Sequence, residues 1–358
     1  PQVRTGSLTD FFCVSQDAPV IEFIRICSGA PIIGGGAAFS LAPELYMKTL
    51  SLDYGIQGEG DYLLVALLDM LDHGQNTEAL PGLVYRKGGD IRKNPVDSRG
   101  SGASYTMDLS SLDEHKGLYY DRGGYGSVQT KRGCGFHCSY CVYPYLEGTT
   151  YRLRPVGEIV DELEAYRNRY DIRHIYFVDS VFSSPATHSR AIVEAMVEKG
   201  LDIRWYAYVN PSGLTRELLE KYRESGCAGL VLTLESGSDL ILNRLNKGFS
   251  KQDSAAAVEN LVHAGIPFEV SMMTGTPGES EETLNETLAF CRNHLANVPV
   301  IFTQGVWMHP VSPIFAEYHS RINQDVDALS RLVLSNDVKG HNALHYYFSE
   351  QDNRNELI

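Results

Sequence analysis

The chain has 358 residues, 43% of them hydrophobic and 21% charged, with a formal net charge of −14 at pH 7. This is the composition of a globule, not of a disordered chain; no run of about 18 apolar residues reads as a membrane span, and the polar opening Pro1-Gln2-Val3-Arg4 is no signal peptide. The acidic balance disfavours a nucleic acid as partner, because affinity for a phosphate backbone comes mainly from clustered Lys and Arg.

In chain order, Gly34-Gly35-Gly36 reads as the turn of an α/β unit. Tyr62 to His73 reads as a helix, Leu83 to Asp90 as a short hairpin, and the rest up to residue 124 as a loop-rich linker. From there a strand-then-helix unit repeats about six times. The predicted strands are Ser127–Thr130, His174–Val178, Ile203–Val209, Gly229–Leu234, Phe268–Met273 and Val300–Val306. The predicted helices between them are Pro155–Tyr170, Pro185–Lys199, Thr215–Ser225, Lys251–Ala264 and Glu281–His294, several closed by a glycine such as Gly200, Gly226 or Gly265. Such alternation predicts a parallel α/β sheet curled into an incomplete, TIM-like (β/α)6 barrel, whose site lies at the C-terminal ends of the strands. The last residues, 311–358 with Trp307 and His309 just before them and His319, His341, His345, Tyr346 and Tyr347 within them, are expected to close the barrel's open side and shape a substrate pocket.

Cys134, Cys138 and Cys141 stand in the spacing C-x3-C-x2-C on the loop after the first barrel strand. Three thiolates on one short loop can ligate three irons of a [4Fe–4S] cubane and leave the fourth open to a small molecule. Structural zinc needs four ligands, and only His137 lies nearby, with no second CxxC. A redox dithiol needs no third cysteine and opens a helix, whereas Val142-Tyr143-Pro144 reads as continuing loop. The other cysteines, Cys13, Cys27, Cys227 and Cys291, are scattered; they form no disulfide framework and fit a reducing, cytoplasmic compartment.

The cysteine motif with Tyr140 before its last member, followed by Phe177–Phe182, Leu234–Ser238, Leu245–Phe249 and Thr274–Ser280, resembles the radical S-adenosylmethionine (radical SAM) superfamily over about residues 125–310. More narrowly it resembles the subgroup with an N-terminal cobalamin-binding domain. The resemblance implies a [4Fe–4S] cluster on the three cysteines, whose open iron chelates SAM and cleaves it to a 5′-deoxyadenosyl radical. It places Asp179 and Ser180 at the methionine ammonium, with a helix N-cap as the competing reading. It places Glu235 and Ser236 at the ribose hydroxyls or the methionine end, and Gly275 and Pro277 of Gly275-Thr276-Pro277-Gly278 at the adenine, where a tight turn also fits. Tyr140 would contact adenine, and Asn210 would reach ribose or carboxylate or simply form a turn before Pro211.

Asp10–Ser15, Pro31–Gly36 and Leu52–Asp61 resemble the later strands and turns of the Rossmann-like cobalamin domain, and only its second half. The Asp-x-His-x-x-Gly whose histidine ligates cobalt is absent. Missing upstream chain, which the lack of an initiating Met favours, or a natural loss of part of the sheet would account for that. The expected organisation is a partial Rossmann-like unit (1–75), a hairpin and linker (76–124), the radical SAM barrel (125–310) and a C-terminal closing segment (311–358).

The resemblance implies a radical SAM enzyme, most specifically one that uses cobalamin to methylate an unactivated carbon of a small molecule or peptide, with a reductant such as flavodoxin or ferredoxin. A cobalamin-independent rearrangement, cyclisation or group transfer is the alternative. Methylthiolation of tRNA is disfavoured by the acidic charge and the lack of a basic C-terminal β-barrel, and a non-catalytic iron–sulfur carrier would normally supply a fourth ligand.

Overall fold

The computed structural model describes residues 14–96, 109–111, 124–306, 309 and 311–322. The N-terminal unit opens with α1 (Val14–Cys27), so the end of the Asp10–Ser15 segment begins a helix while its first part lies outside the described residues. Then come β1 (Ile33–Gly34), α2 (Gly36–Leu41), α3 (Pro43–Thr49), β2 (Tyr54–Ile56), α4 (Leu63–Asp72), β3 (Leu83–Lys87) and β4 (Asp90–Lys93). β1 and β2 pair in parallel, as a Rossmann-like unit requires, and the β3–β4 hairpin adds to the edge antiparallel. Phe39, Met47, Leu52 and Val84 fill one side of this sheet, and Ile56, Leu63, Leu67 and Leu83 the other.

The barrel strands are β5 (Gly126–Val128), β8 (His174–Phe177), β9 (Arg204–Val209), β10 (Cys227–Glu235), β11 (Phe268–Thr274) and β12 (Val300–Gln304). They form one six-stranded sheet in sequence order, parallel throughout, with helices in the crossovers. Those helices are α6 (Val156–Tyr170), α7 (Ala186–Glu198), α8 (Arg216–Glu224), α9 (Asp239–Arg244), α10 (Lys251–Ala264) and α11 (Glu281–His294). Ser250 and Ser280 start α10 and α11 with capping boxes, which is why polar residues there read as helix starts.

Three local expectations change. The first strand ends at Val128; Lys131–Arg132 instead form β6, paired antiparallel with β7 (Arg152–Leu153). The segment after the cysteines turns into a short helix, α5 (Tyr143–Glu147), because Pro144 falls in its first turn, where no amide hydrogen is needed. Of the C-terminal segment, α12 (Pro313–Ile322) is described and packs Ile314 and Phe315 against Ile241, Leu245 and Met273. Trp307, His341, His345, Tyr346 and Tyr347 lie outside the described residues, and His309, within them, is half-buried.

One face of the sheet is sealed by the helices. Phe177 stacks on Phe182 at 4.5 Å, and Trp205 sits edge-on to Phe177 and Tyr222 at 5.4 and 5.2 Å. Gly226 leads into β10 at φ +91°, and a Cβ there would meet the Ile203 carbonyl oxygen at 2.1 Å. Gly226→Ala should therefore cost about 2–3 kcal/mol through backbone strain, read as a lower urea midpoint with an unchanged slope.

Candidate functional site

The three cysteines lie on the loop between β6 and α5, at the C-terminal end of the barrel. Gly133 enters it at φ +87°, and a Cβ there would strike the Thr150 carbonyl oxygen at 2.2 Å. Its amide donates to the Glu147 carboxylate at 3.1 Å, and the Cys134 amide donates to the Gly148 carbonyl at 3.1 Å. Farther along, the Ser139 amide donates to the Leu245 carbonyl (2.9 Å), the Ile314 amide to the Ser139 carbonyl (2.9 Å), and Asn246 Nδ2 to the His137 carbonyl (2.7 Å). The turn after α9 and the start of α12 thus hold the loop from behind.

Cys134 is buried, and Cys138 and Cys141 are half-buried. Burial pushes the Cys141 thiol up to about 11 and raises Cys138, and the neighbouring thiols add to both shifts; Lys247 acts the other way. Thiols this close in charge suit one shared cationic cluster, which needs them deprotonated. Among the described residues no three His, Cys, Asp or Glu side chains are gathered closely enough to hold a metal ion. His137, the one imidazole a zinc site would draw on, is exposed.

Beside the loop stands a buried polar triad. The Tyr140 hydroxyl donates to Glu235 Oε1 at 3.1 Å, and Lys247 Nζ reaches that hydroxyl at 3.2 Å and Glu235 Oε1 at 3.4 Å. Burial, with Glu235 adding to it, pushes the Tyr140 hydroxyl well above the ordinary phenol range, so it stays a donor. Glu235 adopts φ +72° just past a shift in the β10–β11 register between Thr233 and Glu235. That irregularity turns the carboxylate off the strand's alternation toward the cysteine loop. Lys247 is a site residue that the sequence reading did not single out; nothing local marks a lysine for burial.

Several expected ligands are spent on the protein itself. Asp179 is fully buried: Oδ1 accepts from the Thr130 and Lys131 amides (2.8 and 3.2 Å), Oδ2 accepts from the Thr130 hydroxyl (2.6 Å), and Lys131 Nζ lies 3.1 Å away. Asp179 is no helix N-cap, since α7 begins only at Ala186. Ser236 turns its hydroxyl to Thr287 of α11 (2.9 Å) and accepts from the Ser238 amide. Asn210 Oδ1 caps the Ser212 amide at 3.1 Å, the turn before α8. The Gly275 amide donates to the Glu279 carboxylate, and Gly275 takes φ +73° beside buried Pro277, so the tight turn is formed. Ser180 stays half-buried at the end of β8.

The mouth nonetheless carries unspent polarity. Ser183 Oγ, Ser238 Oγ, Thr276 Oγ1 and Glu279 Oε1 are buried without hydrogen-bond partners, all on loops that follow β8, β10 and β11. Buried groups left so need a ligand or water, and a polar ligand of the size of SAM fits that demand.

On the other side, α5 meets the N-terminal unit. Leu41 packs on Val142 and Leu146, and Gln57 Nε2 donates to the Tyr145 hydroxyl at 2.6 Å. Glu59 clamps both strands of the hairpin that leads into the cysteine loop, accepting from Arg132 Nη1 at 3.1 Å and Arg152 Nη1 at 2.8 Å. Asp61 also pairs with Arg132. A cavity of about 140 Å3 lies in this junction, lined by Ser40, Gln57, Glu59, Tyr145, Glu147 and Arg152 among others. More open are the ends of β1 and β2: no atom stands within 4 Å of a Cβ built on Gly36 or Gly60. Uncovered backbone there lets a ligand approach closely. The histidine in 14–96 is His73 at the end of α4, well exposed and bonded to Asp69, so no imidazole from these residues reaches that surface.

The described structure is an incomplete parallel barrel with three free thiols on a loop at its C-terminal mouth. Residues 128–291 match the Radical SAM superfamily. It is 28% identical over 293 residues to an uncharacterized methyltransferase of Pyrococcus horikoshii, covering 80% of this chain and 62% of the relative. It is 25% identical over 329 residues to tryptophan 2-C-methyltransferase of Streptomyces laurentii, covering 75% and 55%. Among solved structures, the radical SAM methyltransferase TsrM of Kitasatospora setae, with cobalamin and a [4Fe–4S] cluster bound, superposes with a TM-score of 0.77 at 23% identity, covering 86% of this chain and 61% of that one. The chain thus spans about three-fifths of each.

Two outcomes follow from the ion pairs. Asp179→Ala leaves Lys131 buried and uncompensated and should cost about 3–5 kcal/mol of unfolding free energy in urea. At Glu59 burial works to raise the pKa, but the hydrogen bonds and charges of Arg152 and Arg132 win, and the net shift is downward from 4.5. A lowered carboxylate stabilises the fold above its unfolded pKa and loses that contribution as pH falls through the folded value. The gap in urea midpoint between wild type and Glu59→Gln should be full at pH 7 and close in acid.

Proposed function

We propose that the protein is a radical SAM methyltransferase that works with cobalamin on a carbon of a small molecule or peptide. The observation that carries this reading is that one short helix, α5, has the three-cysteine loop on one side and, on the other, the unit whose parallel strands end in uncovered glycines. Cofactors held on those two sides would face each other across the barrel mouth. The methyltransferase names of the two curated relatives and the cofactors of TsrM support the same reading.

When bound, the [4Fe–4S] cluster supplies the electron that cleaves SAM, and cobalamin carries the methyl group. Cys134, Cys138 and Cys141 are the cluster ligands in this reading. Glu235, fixed by Tyr140 and Lys247, presents a carboxylate for ribose hydroxyls, and Tyr140 offers a ring edge for adenine. Ser180, Thr276 and Ser238 supply hydroxyls, and Gly275 with Pro277 brings backbone close. Asp179 and Ser236 act as positioning residues: the first anchors Thr130 and Lys131 ahead of the loop, the second fixes the turn after β10 to α11. Asn210 holds the turn after β9.

The electron would come from a flavodoxin or ferredoxin in a reducing cytoplasm, and six free thiols among the described residues accord with that compartment. No helix among the described residues is long and apolar enough to cross a membrane. A net charge of −14 argues for a substrate other than nucleic acid.

The test is anaerobic purification with iron, sulfide and hydroxocobalamin, followed by reduction with SAM present. Stoichiometric cobalamin absorbance with 5′-deoxyadenosine formation is expected. Cleavage without bound cobalamin would overturn the methyltransferase assignment in favour of a cobalamin-independent rearrangement or group transfer. Cys138→Ala should lose the cubane's absorbance and all SAM cleavage; a full cluster in that variant would sink the ligand assignment.

A further inference from the structure

The barrel's inner face is not a generic apolar lining. Along β8 and β9 the helix-facing residues Ile175, Phe177, Trp205, Ala207 and Val209 are all fully buried. The alternate residues Tyr176, Tyr206 and Tyr208 stand on the concave face, and Tyr125, just before β5, joins them. Their rings form an edge-to-face chain: Tyr125 to Tyr206 at 5.2 Å, Tyr125 to Tyr176 at 6.4 Å, Tyr176 to Tyr208 at 6.1 Å. Gly229 pairs with Tyr206 in register, and a Cβ there would press within 3.1 Å of its ring. The fold makes room for that ring.

One carboxylate completes this surface. The β-ladder sets Tyr208 beside Val231 and Val231 beside Glu269, a single row across three strands. Glu269 acts on the Tyr176 hydroxyl through space and makes no ion pair among the described residues. The row reaches toward the cysteine loop through Tyr143, two residues past Cys141, which interacts electrostatically with both Cys141 and Tyr208. Tyr125 and Tyr208 remain 38% and 41% exposed, so part of each ring is open to a ligand.

Electron-rich ring faces attract planar π systems and cations, and an unpaired carboxylate among them attracts a cation further. We propose that Tyr125, Tyr176, Tyr206, Tyr208 and Glu269 form the substrate seat of the barrel and select a planar aromatic molecule bearing a protonated amine. This rests on reading the barrel mouth as the SAM site, and it narrows the substrate class of that site. The aromatic part lies against the tyrosines, the ammonium is held at Glu269, and the free ring edge points to the cysteine loop.

The experiment is isothermal titration of the cluster-reconstituted protein, without reductant, with tryptamine, indole-3-propionate and n-hexylamine as probes. Tryptamine should bind in the millimolar range or tighter, about tenfold better than either comparison compound. Glu269→Gln, nearly isosteric and half-exposed, should erase the preference over indole-3-propionate. Tyr208→Leu should erase the preference over hexylamine, and Tyr208→Phe should restore it. No tryptamine binding at millimolar concentration, equal binding of the three probes, or an intact preference in Glu269→Gln would overturn the proposal. Binding needs no turnover, so these results stand apart from cobalamin retention and SAM cleavage, which decide the methyltransferase reading.

Discussion

The site depends on one buried anchor, the Asp179 carboxylate with Thr130 and Lys131. Burying an ion pair is expensive, and desolvation depresses the Lys131 pKa even with Asp179 opposing the shift. The cost is offset because the carboxylate also accepts two amides and a hydroxyl, leaving little lone-pair capacity unmet. Such a network fixes direction as well as energy. It ties the chain leaving β5 to the end of β8, so that the residues entering the cysteine loop have one path. Glu59, from a different unit, then holds the β6–β7 hairpin that follows on that path.

The repeating architecture was legible because its signals are periodic. Apolar runs such as Leu230 to Leu234 and the Ser250 and Ser280 caps fix strands and helices to within a residue or two of the observed bounds. The β6–β7 pair was not, since two-residue strands have no period and form only when their partner is brought alongside. Helix α5 was hidden by Pro144, which reads as a breaker until its place in the first turn is known.

The site residues divide on a different line. The cysteine triplet is read from spacing alone. Asp179 and Ser236 look, in sequence, the same as polar groups that reach into a mouth, because both follow the end of an apolar strand. Which way such a side chain turns is decided by distant partners, Lys131 in one case and Thr287 in the other. Lys247 and Glu59 were missed for the converse reason: their burial comes from Glu235 and from the two arginines, far away in sequence. Tyrosine conceals the inner face in the same way, as β8 and β9 read as continuous apolar runs until register separates Tyr176 and Tyr208 from Phe177 and Val209.

These pieces give the cysteine loop a distinct mechanical setting. Within the loop the Cys141 amide donates to the Cys138 carbonyl at 3.1 Å, which leaves the thiols free but fixes little else. Its order is therefore imposed from outside: from below by the Asp179 anchor, from behind by Leu245, Asn246 and Ile314, and from the N-terminal side by Glu59 and Gln57. The remaining side faces the tyrosines, the seat proposed for the substrate. The unpartnered oxygens of Ser183, Ser238, Thr276 and Glu279 lie at the same end of the barrel, on loops after β8, β10 and β11, while the helix-facing side has its aromatic core closed.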